Sequence, residues 1–329
     1  MSHEDPADGI GGGGPGTVTG VRSATVGESP AARTLGGLMN VGLGLPISDP
    51  VALLEWARRA DEGPFSTLGL LDRLVYDNPE PLITLAMLAG ATSRIRLQTE
   101  VLLAPLRDPA LLAKQTATLD RMSGGRFTLG IGLGARSDDY AAAGVDVHTR
   151  GARMEETMTV LRRLWSGEPY GDGVGPIGPH PARRGGPEVL FGAFSPVAIR
   201  RAARLGDGFL CSTHIADTDT LFRAIETEWR AQGRAGRPRL VAQFNAALGP
   251  DYLIKEAHDR LYEYYSAPTF MNMPAGFAEA AVANMLTTPA QIHEATARMT
   301  DLGADEVMFY CWASDVSQVE QFAGALAAA

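Results

Sequence analysis

Lysine is almost missing from this chain: of its 29 basic side chains only Lys114 and Lys255 are lysines, and the other 27 are arginines. A GC-rich genome accounts for such a bias, and arginine is also the better clamp for phosphate and carboxylate groups. Positive charge is scarce as well. The 38 acidic residues leave a net charge of -9 and a pI ≈ 5.2. The chain therefore lacks the concentrated positive surface with which a general nucleic-acid binder displaces counterions from phosphate. Cysteine is rare: Cys211 and Cys311 each sit inside an apolar run, as buried strand residues do in a reducing compartment, which excludes a disulfide framework. No apolar run approaches the roughly 18–20 residues of a membrane span, and the first residues show no basic segment followed by an apolar one. The expectation is a cytoplasmic protein with neither membrane nor nucleic acid as partner. The six histidines (His3, His148, His180, His214, His258 and His293) show no metal-ligand spacing.

What is present divides into a tail and a body. Residues 1–36 are rich in Gly, Pro, Ala, Ser and Thr and poor in large apolar side chains, so they are expected to be disordered or loosely packed. The run Gly11–Gly14 follows no strand and is not a phosphate loop. Residues 37–329 form the body, in which short apolar runs alternate with amphipathic segments. Strands are expected at 39–45, 65–71, 95–103, 126–132, 188–193, 208–212, 240–246 and 306–312, each followed by a helical segment. Met154, Met158, Leu161 and Trp165 mark the strongest of these helices at 150–165. Eight such units fit an α/β fold, a closed (β/α)8 TIM barrel with inserted loops. An open dinucleotide-binding sheet would place Gly-x-Gly-x-x-Gly after its first strand, whereas Gly42-Leu43-Gly44-Leu45-Pro46-Ile47 breaks that spacing.

Barrel chemistry sits at the C-terminal ends of the strands. Asp72-Arg73 follows the second strand, either as a local ion pair or turn cap or as a pair facing the mouth. Glu100 interrupts the apolar third strand; a carboxylate there is costly to bury alone, so it pairs with an arginine or faces a polar cavity. The glycines of 130–134 allow close approach of a flat ligand, although glycines also end strands in turns. Ser195, between the fifth strand and the helix at 196–204, reads as an N-cap whose helix would aim free N–H groups into the mouth, as a phosphate site requires. His148, Arg150 and Arg153 open the helix after strand four, as solvated residues or as added positive charge.

At this point a likeness is visible. Val101-Leu102-Leu103-Ala104-Pro105-Leu106-Arg107, Leu112-Ala113-Lys114-Gln115, Thr118-Leu119-Asp120, Ser123-Gly124-Gly125-Arg126 and Gly130-Ile131-Gly132 together resemble the bacterial luciferase-like flavin-dependent oxidoreductase family. The pattern is most similar to its actinobacterial branch, many of whose members use the deazaflavin coenzyme F420 in place of FMN. The stretch 191–209, with Gly206-Asp207-Gly208-Phe209, and the stretch 288–309, with Leu302-Gly303-Ala304-Asp305-Glu306, fit the same family.

The resemblance implies a TIM barrel holding a reduced flavin or deazaflavin across its mouth. It implies a non-prolyl cis peptide at Glu100–Val101 backing the central ring, Asp72 near the ring, and Leu133 and Gly134 at the ring edge. Ser195 and Gly208, with Gly192 and the Arg150–Arg153 turn nearby, would hold the cofactor phosphate. Proton transfer would fall to Glu100, Asp72 or His214. There are departures. Arg73 stands where the family often has histidine, Glu100 where it usually has Gly, Ala or Ser, and Ala135 where a sugar-phosphate dehydrogenase of the family carries its catalytic glutamate, which counts against that activity. Three functions follow: hydride exchange between F420 and a small unsaturated or alcohol-type molecule; an FMN-dependent monooxygenase using O2; or a flavin-binding barrel without turnover. Members of the family are frequently homodimers, although no surface stripe in this sequence marks an interface.

Overall fold

The computed structural model describes residues 39–47 and 49–327; the expected tail at 1–36 lies outside them. Eight strands follow in chain order: β1 Asn40–Gly44, β2 Thr67–Leu70, β3 Arg96–Thr99, β4 Phe127–Gly132, β5 Glu188–Gly192, β6 Gly208–Ser212, β7 Arg239–Ala246 and β8 Glu306–Cys311. Each pairs in parallel with its sequence neighbours, and β1 pairs with β8 to close the ring. This is the (β/α)8 barrel that the alternation implies.

Four of the surrounding helices begin alike, with a side-chain acceptor followed by proline. These are α2 (Pro81–Ala91) after Glu80, α3 (Pro109–Met122) after Asp108, α5 (Pro196–Leu205) after Ser195 and α9 (Pro289–Asp301) after Thr288. The cap accepts an N–H that the helix cannot satisfy, and proline supplies the fixed φ without an N–H to waste. The first helix, α1 (Ala52–Glu62), begins two residues beyond Pro50, because Asp49 accepts the Val51 N–H at 2.7 Å and turns the chain before it coils. The others are α4 (Arg150–Trp165), α6 (Ile215–Ala231), α7 (Asp251–Ser266), α8 (Phe277–Ala283) and α10 (Gln318–Ala327), besides a short helix at Ser137–Ala142 in the loop after β4. No helix among the described residues is long and apolar enough to cross a membrane.

Alternation along β8 shows how the inside is filled. Val307, Phe309 and Cys311 face the helical shell, while Glu306, Met308 and Tyr310 point inward. Inward residues stack in three tiers. The lowest is ionic: Arg239 joins Glu188 to Glu306, Arg96 reaches Glu188 at 2.9 Å, and Ser66 donates to Glu306. Leu190, Leu210, Val241 and Met308 form an apolar middle tier. The top tier alternates glycine with bulk. A Cβ at Gly44 would overlap the Tyr310 ring, one at Gly69 the Glu100 carboxyl, and one at Gly132 the Val101 side chain.

The third strand differs from expectation in one respect. It is broken: after β3 the Glu100–Val101 peptide is cis, and pairing with β4 resumes at Leu102–Leu103. Gly130 admits the displaced Thr99 carbonyl, which would collide with any Cβ there. Helices α7 and α8 form an insertion whose apolar face covers the β1, β2 and β8 side of the mouth, packing Leu261, Tyr264 and Met285 against Leu71, Tyr310 and Trp312.

The glycine notches make a stability prediction. Gly44→Ala overpacks the top tier and should destabilise the chain by about 1–3 kcal/mol, read as a lower urea midpoint. Gly90→Ala on the exposed face of α2, where a Cβ meets nothing within 4 Å, should be neutral or stabilising by up to about 1 kcal/mol. Equal effects would show that Gly44 is not held by fit.

Candidate active site

The floor of the mouth is made by the cis turn. Glu100 is 5% exposed; its Oε1 accepts a hydrogen bond from Gln98 Nε2 at 2.9 Å, and its Oε2 is sealed from solvent with no partner among the described residues. Neither sequence alternative is met in full: no arginine answers it, and its surroundings are a polar group, a tyrosine and a glycine notch. Burial, opposed only by the Gln98 bond, pushes its carboxyl up to about 8, so it carries its proton at neutral pH. Val101 lies beside it, seated against Gly132 and Gly192.

One side of the rim is a pocket of about 240 Å³ between α4 and α5. Ser195 caps α5, its Oγ accepting from the Ala198 N–H at 3.3 Å, so the positive end of that helix faces the pocket. Arg150 and His148 enter from the start of α4, Arg201 from the second turn of α5, and Leu133 closes the inner wall. Arg201 is aimed by Glu155, whose Oε1 holds its Nε at 3.1 Å. Gly151 leaves the space its guanidinium fills, since a Cβ there would lie 2.9 Å from Nη2. Leu133 is fixed through its carbonyl, which accepts from the Tyr140 hydroxyl. Burial pushes that hydroxyl up to about 12, so it stays a donor. Two guanidinium groups, an imidazole and a helix N-terminus form a donor set suited to a phosphate, and the residues present thus fit a phosphate-bearing cofactor.

The rim on the β2 side is locked. Arg73 is buried with Asp139 at 2.7 Å and lies 5.7 Å from the Tyr264 ring centre. Arg136 pairs with Asp138 at 2.5 Å and lies 5.4 Å from the Phe270 ring. Asp139 also accepts the Leu74 and Val75 N–H groups. Two positive and two negative charges thereby tie the loop after β2, the loop after β4 and the α7–α8 insertion together.

Residues 29–328 match the family model for luciferase-like monooxygenases. The chain belongs to the luciferase-like monooxygenase family. An F420-dependent glucose-6-phosphate dehydrogenase of Kineococcus radiotolerans is 32% identical over 205 residues, 56% of this chain and 60% of that one. The chain spans only about half to three-fifths of the length of the curated relatives it matches. An F420-dependent secondary alcohol dehydrogenase, solved with an F420-acetone adduct, superposes with a TM-score of 0.72 at 16% identity, covering 88% of this chain and 99% of that one. The oxygenating constituent of the FMN-bound 3,6-diketocamphane monooxygenase of Pseudomonas putida does so at 0.68 and 16%, covering 87% and 95%. Likeness at this level establishes a shared fold.

In this luciferase-like chain the expected site residues divide. Leu133, Arg150 and Ser195 meet in the rim pocket, and Glu100, Val101 and Gly192 meet in the floor. Gly208 is corrected: it is the first residue of β6, at the opposite end of the barrel from Ser195, and it is a glycine because Arg239 and Leu190 crowd it. Arg153 turns away from the pocket to donate to the Pro105 carbonyl at 2.8 Å, tying α4 to the segment after the cis turn. Asp72 is committed as well. Both its oxygens hold Arg107, and Oδ2 also takes the Leu103 N–H at 2.8 Å, which leaves it a brace and not a proton carrier. Burial raises its carboxyl, with Arg107 opposing. Gly134, at φ 76° in the left-handed region, turns the chain against Leu103. His214 stands at the N-cap of α6 and offers its carbonyl to the Thr218 hydroxyl; it does not line the pocket. Sequence reading missed Arg201 and Gly151. A glycine in the first turn of a long helix, where it weakens the helix, was the available signal.

Glu100 also makes stability depend on pH. The unfolded chain releases this proton near pH 4.5, while the folded chain keeps it to about 8. Its stabilising contribution is therefore whole below pH 4.5, fades as the pH rises, and is gone above 8. Between pH 5 and 8 the wild-type chain should lose stability relative to Glu100→Gln, by a few kcal/mol at most, since each pKa unit is worth about 1.4 kcal/mol. Parallel urea-unfolding profiles would refute it.

Proposed function

We propose that the chain is an oxidoreductase that binds the deazaflavin coenzyme F420 across the barrel mouth and uses it on a small unsaturated or alcohol-type molecule. The observation that carries this reading is the rim pocket, where Arg150, Arg201, His148 and the Ser195-capped helix converge beside Leu133 at the catalytic end of the barrel. The F420-dependent relatives support the choice of cofactor. Ser195, Arg150 and Arg201 would hold the phosphate, Val101 and Leu133 would face the ring, and the insertion would exclude water. Bound there, the deazaflavin supplies a carbon that gives or accepts hydride, chemistry that no side chain here offers. The glucose-6-phosphate activity of the Kineococcus relative is not carried over. Ala135 has no carboxyl group, and its carbonyl is spent on the Met271 N–H.

The test is binding. Purified protein titrated with F420 and with FMN, followed by fluorescence and calorimetry, should prefer F420. FMN preference with substrate-dependent O2 uptake would replace this reading by a monooxygenase, and binding without turnover would replace it by a sensor. Ser195→Asp should weaken cofactor binding at least about tenfold by setting a carboxylate against the phosphate. Because aspartate is as good an N-cap as serine, the unfolding midpoint should hold. Unchanged affinity would remove Ser195 from the site.

A further inference from the structure

Gly151 and Glu155 lie one turn apart on α4, and Arg201 of α5 meets both. Glu155 Oε1 accepts from Arg201 Nε at 3.1 Å, and its Oε2 from Arg204 Nη2 at 2.6 Å, so the carboxylate is itself held. Arg201 Nη2 lies where a side chain at position 151 would begin: a Cβ there would stand 2.9 Å from it. The Arg201 side chain is 10% exposed and lines the rim pocket. Its Nη1 and Nη2 bond to nothing among the described residues. Neither is sealed from solvent, as unbonded nitrogens of Arg73 and Arg136 are. A nearly buried guanidinium with Nε tied and both ends free is a donor pair without acceptors. The rest of the pocket offers less than a helix N-terminus suggests. Pro196 has no N–H, the Ala198 N–H goes to Ser195 Oγ, and the Ile199 N–H goes to the Ser195 carbonyl at 2.9 Å, which leaves Val197. Arg150 points Nη1 at the Val147 carbonyl at 3.4 Å.

Resting on the reading of the mouth as a flavin-type cofactor site, we propose that Glu155 and Gly151 make Arg201 the residue by which the site prefers a ring that carries a phosphate to the same ring without one. Arg201 is the specificity-determining residue, its Nη1 and Nη2 taking two free oxygens of the phosphate. Glu155 is a positioning residue, and Gly151 clears the place that the guanidinium occupies. Charge alone argues the other way. A carboxylate this close to an anion site repels what the site binds, so its place here is explained by what it does to Arg201. A loose arginine must be ordered when its ligand arrives, and holding it beforehand removes that cost.

The experiment titrates the full chain by calorimetry with F420 and its phosphate-free deazaflavin core, and with FMN and riboflavin, which differ by the phosphate alone. Arg201→Met should lower the affinity for the phosphate-bearing probes at least about tenfold and leave that for the phosphate-free rings level. Glu155→Ala should lower it about fivefold although it removes a repelling charge. Glu155→Gln, which keeps an acceptor for Nε without the charge, should restore it. Gly151→Ala should displace the guanidinium and weaken the same probes, while its unfolding midpoint holds or rises, since alanine suits a helix better than glycine. A merely structural role would move stability and all four probes together, and that result overturns the proposal. So does a Glu155→Ala chain that binds the phosphate-bearing probes as tightly as the wild type or tighter, as charge alone requires. If the wild type binds neither F420 nor FMN, the functional reading fails first and this one with it. If it prefers the phosphate-bearing rings and the variants keep that preference, only this proposal fails.

Discussion

Glycine facing inward at the top of four strands is the constraint on which the mouth depends. Gly44, Gly69, Gly132 and Gly192 belong to β1, β2, β4 and β5, and between them they accept Tyr310, the Glu100 carboxyl and Val101. A barrel interior is normally filled by branched side chains contributed evenly by alternate strands. Here the filling is lopsided: β3 and β8 supply the bulk and their neighbours supply the space. That arrangement is what permits the break at the end of β3, because the carbonyl of Thr99 enters the position where Gly130 would otherwise carry a Cβ, before parallel pairing with β4 resumes. A methyl group at Gly44, Gly69 or Gly132 would overlap the group seated there, and one at Gly192 would press on Val101 at 3.2 Å.

The two rims use charge differently. On the β4–β5 side, positive groups are collected and left facing a cavity, with Glu155 spent on aiming Arg201 and Arg204 from behind. On the β2 side, charge is balanced within a sealed cluster: Arg73 and Arg136 against Asp138 and Asp139, with Tyr264, Phe270 and Tyr76 around them. A balanced buried cluster adds little net stability, yet it fixes geometry, since removing one member leaves the others buried and unpaired. The first rim leaves its positive groups facing a cavity, and the second holds an insertion in place.

Much of the fold was legible because its signals are local. Pro81, Pro109, Pro196 and Pro289 each follow a capping side chain, and each begins a helix. The strands are buried on both faces and therefore read as apolar runs. Ser195 was legible for the same reason, as a cap has a sequence signature. Arg201 was not, because its place in the pocket depends on the spacing of α4 and α5 and on Gly151 fifty positions away in sequence. Asp72 could be seen as acidic and close to a strand end, but whether it faces the mouth or a brace is decided by Arg107, thirty-five residues on. Gly208 shows the opposite failure. Its motif was recognised, yet a residue that opens a strand stands at the base of the barrel, and no glycine preference can move it to the mouth.

Glu188 and Glu100 show what the barrel can do with a carboxylate, and the contrast is informative because both lie inside the same ring of strands. At Glu188 burial would raise the carboxyl, but Arg239 and Arg96 outweigh it and hold it below its ordinary value. At Glu100 burial acts almost unopposed. The chain has 27 arginines, and four of the inward positions at the base are arginine or glutamate placed to neutralise one another. Leaving the top carboxyl without such a partner is therefore not a shortage of cations. A Cβ at Gly69 would already overlap the Glu100 carboxyl, one at Gly44 the Tyr310 ring and one at Gly132 the Val101 side chain, so none of these three positions can carry a cation. The same packing that makes the floor thus keeps its acid neutral.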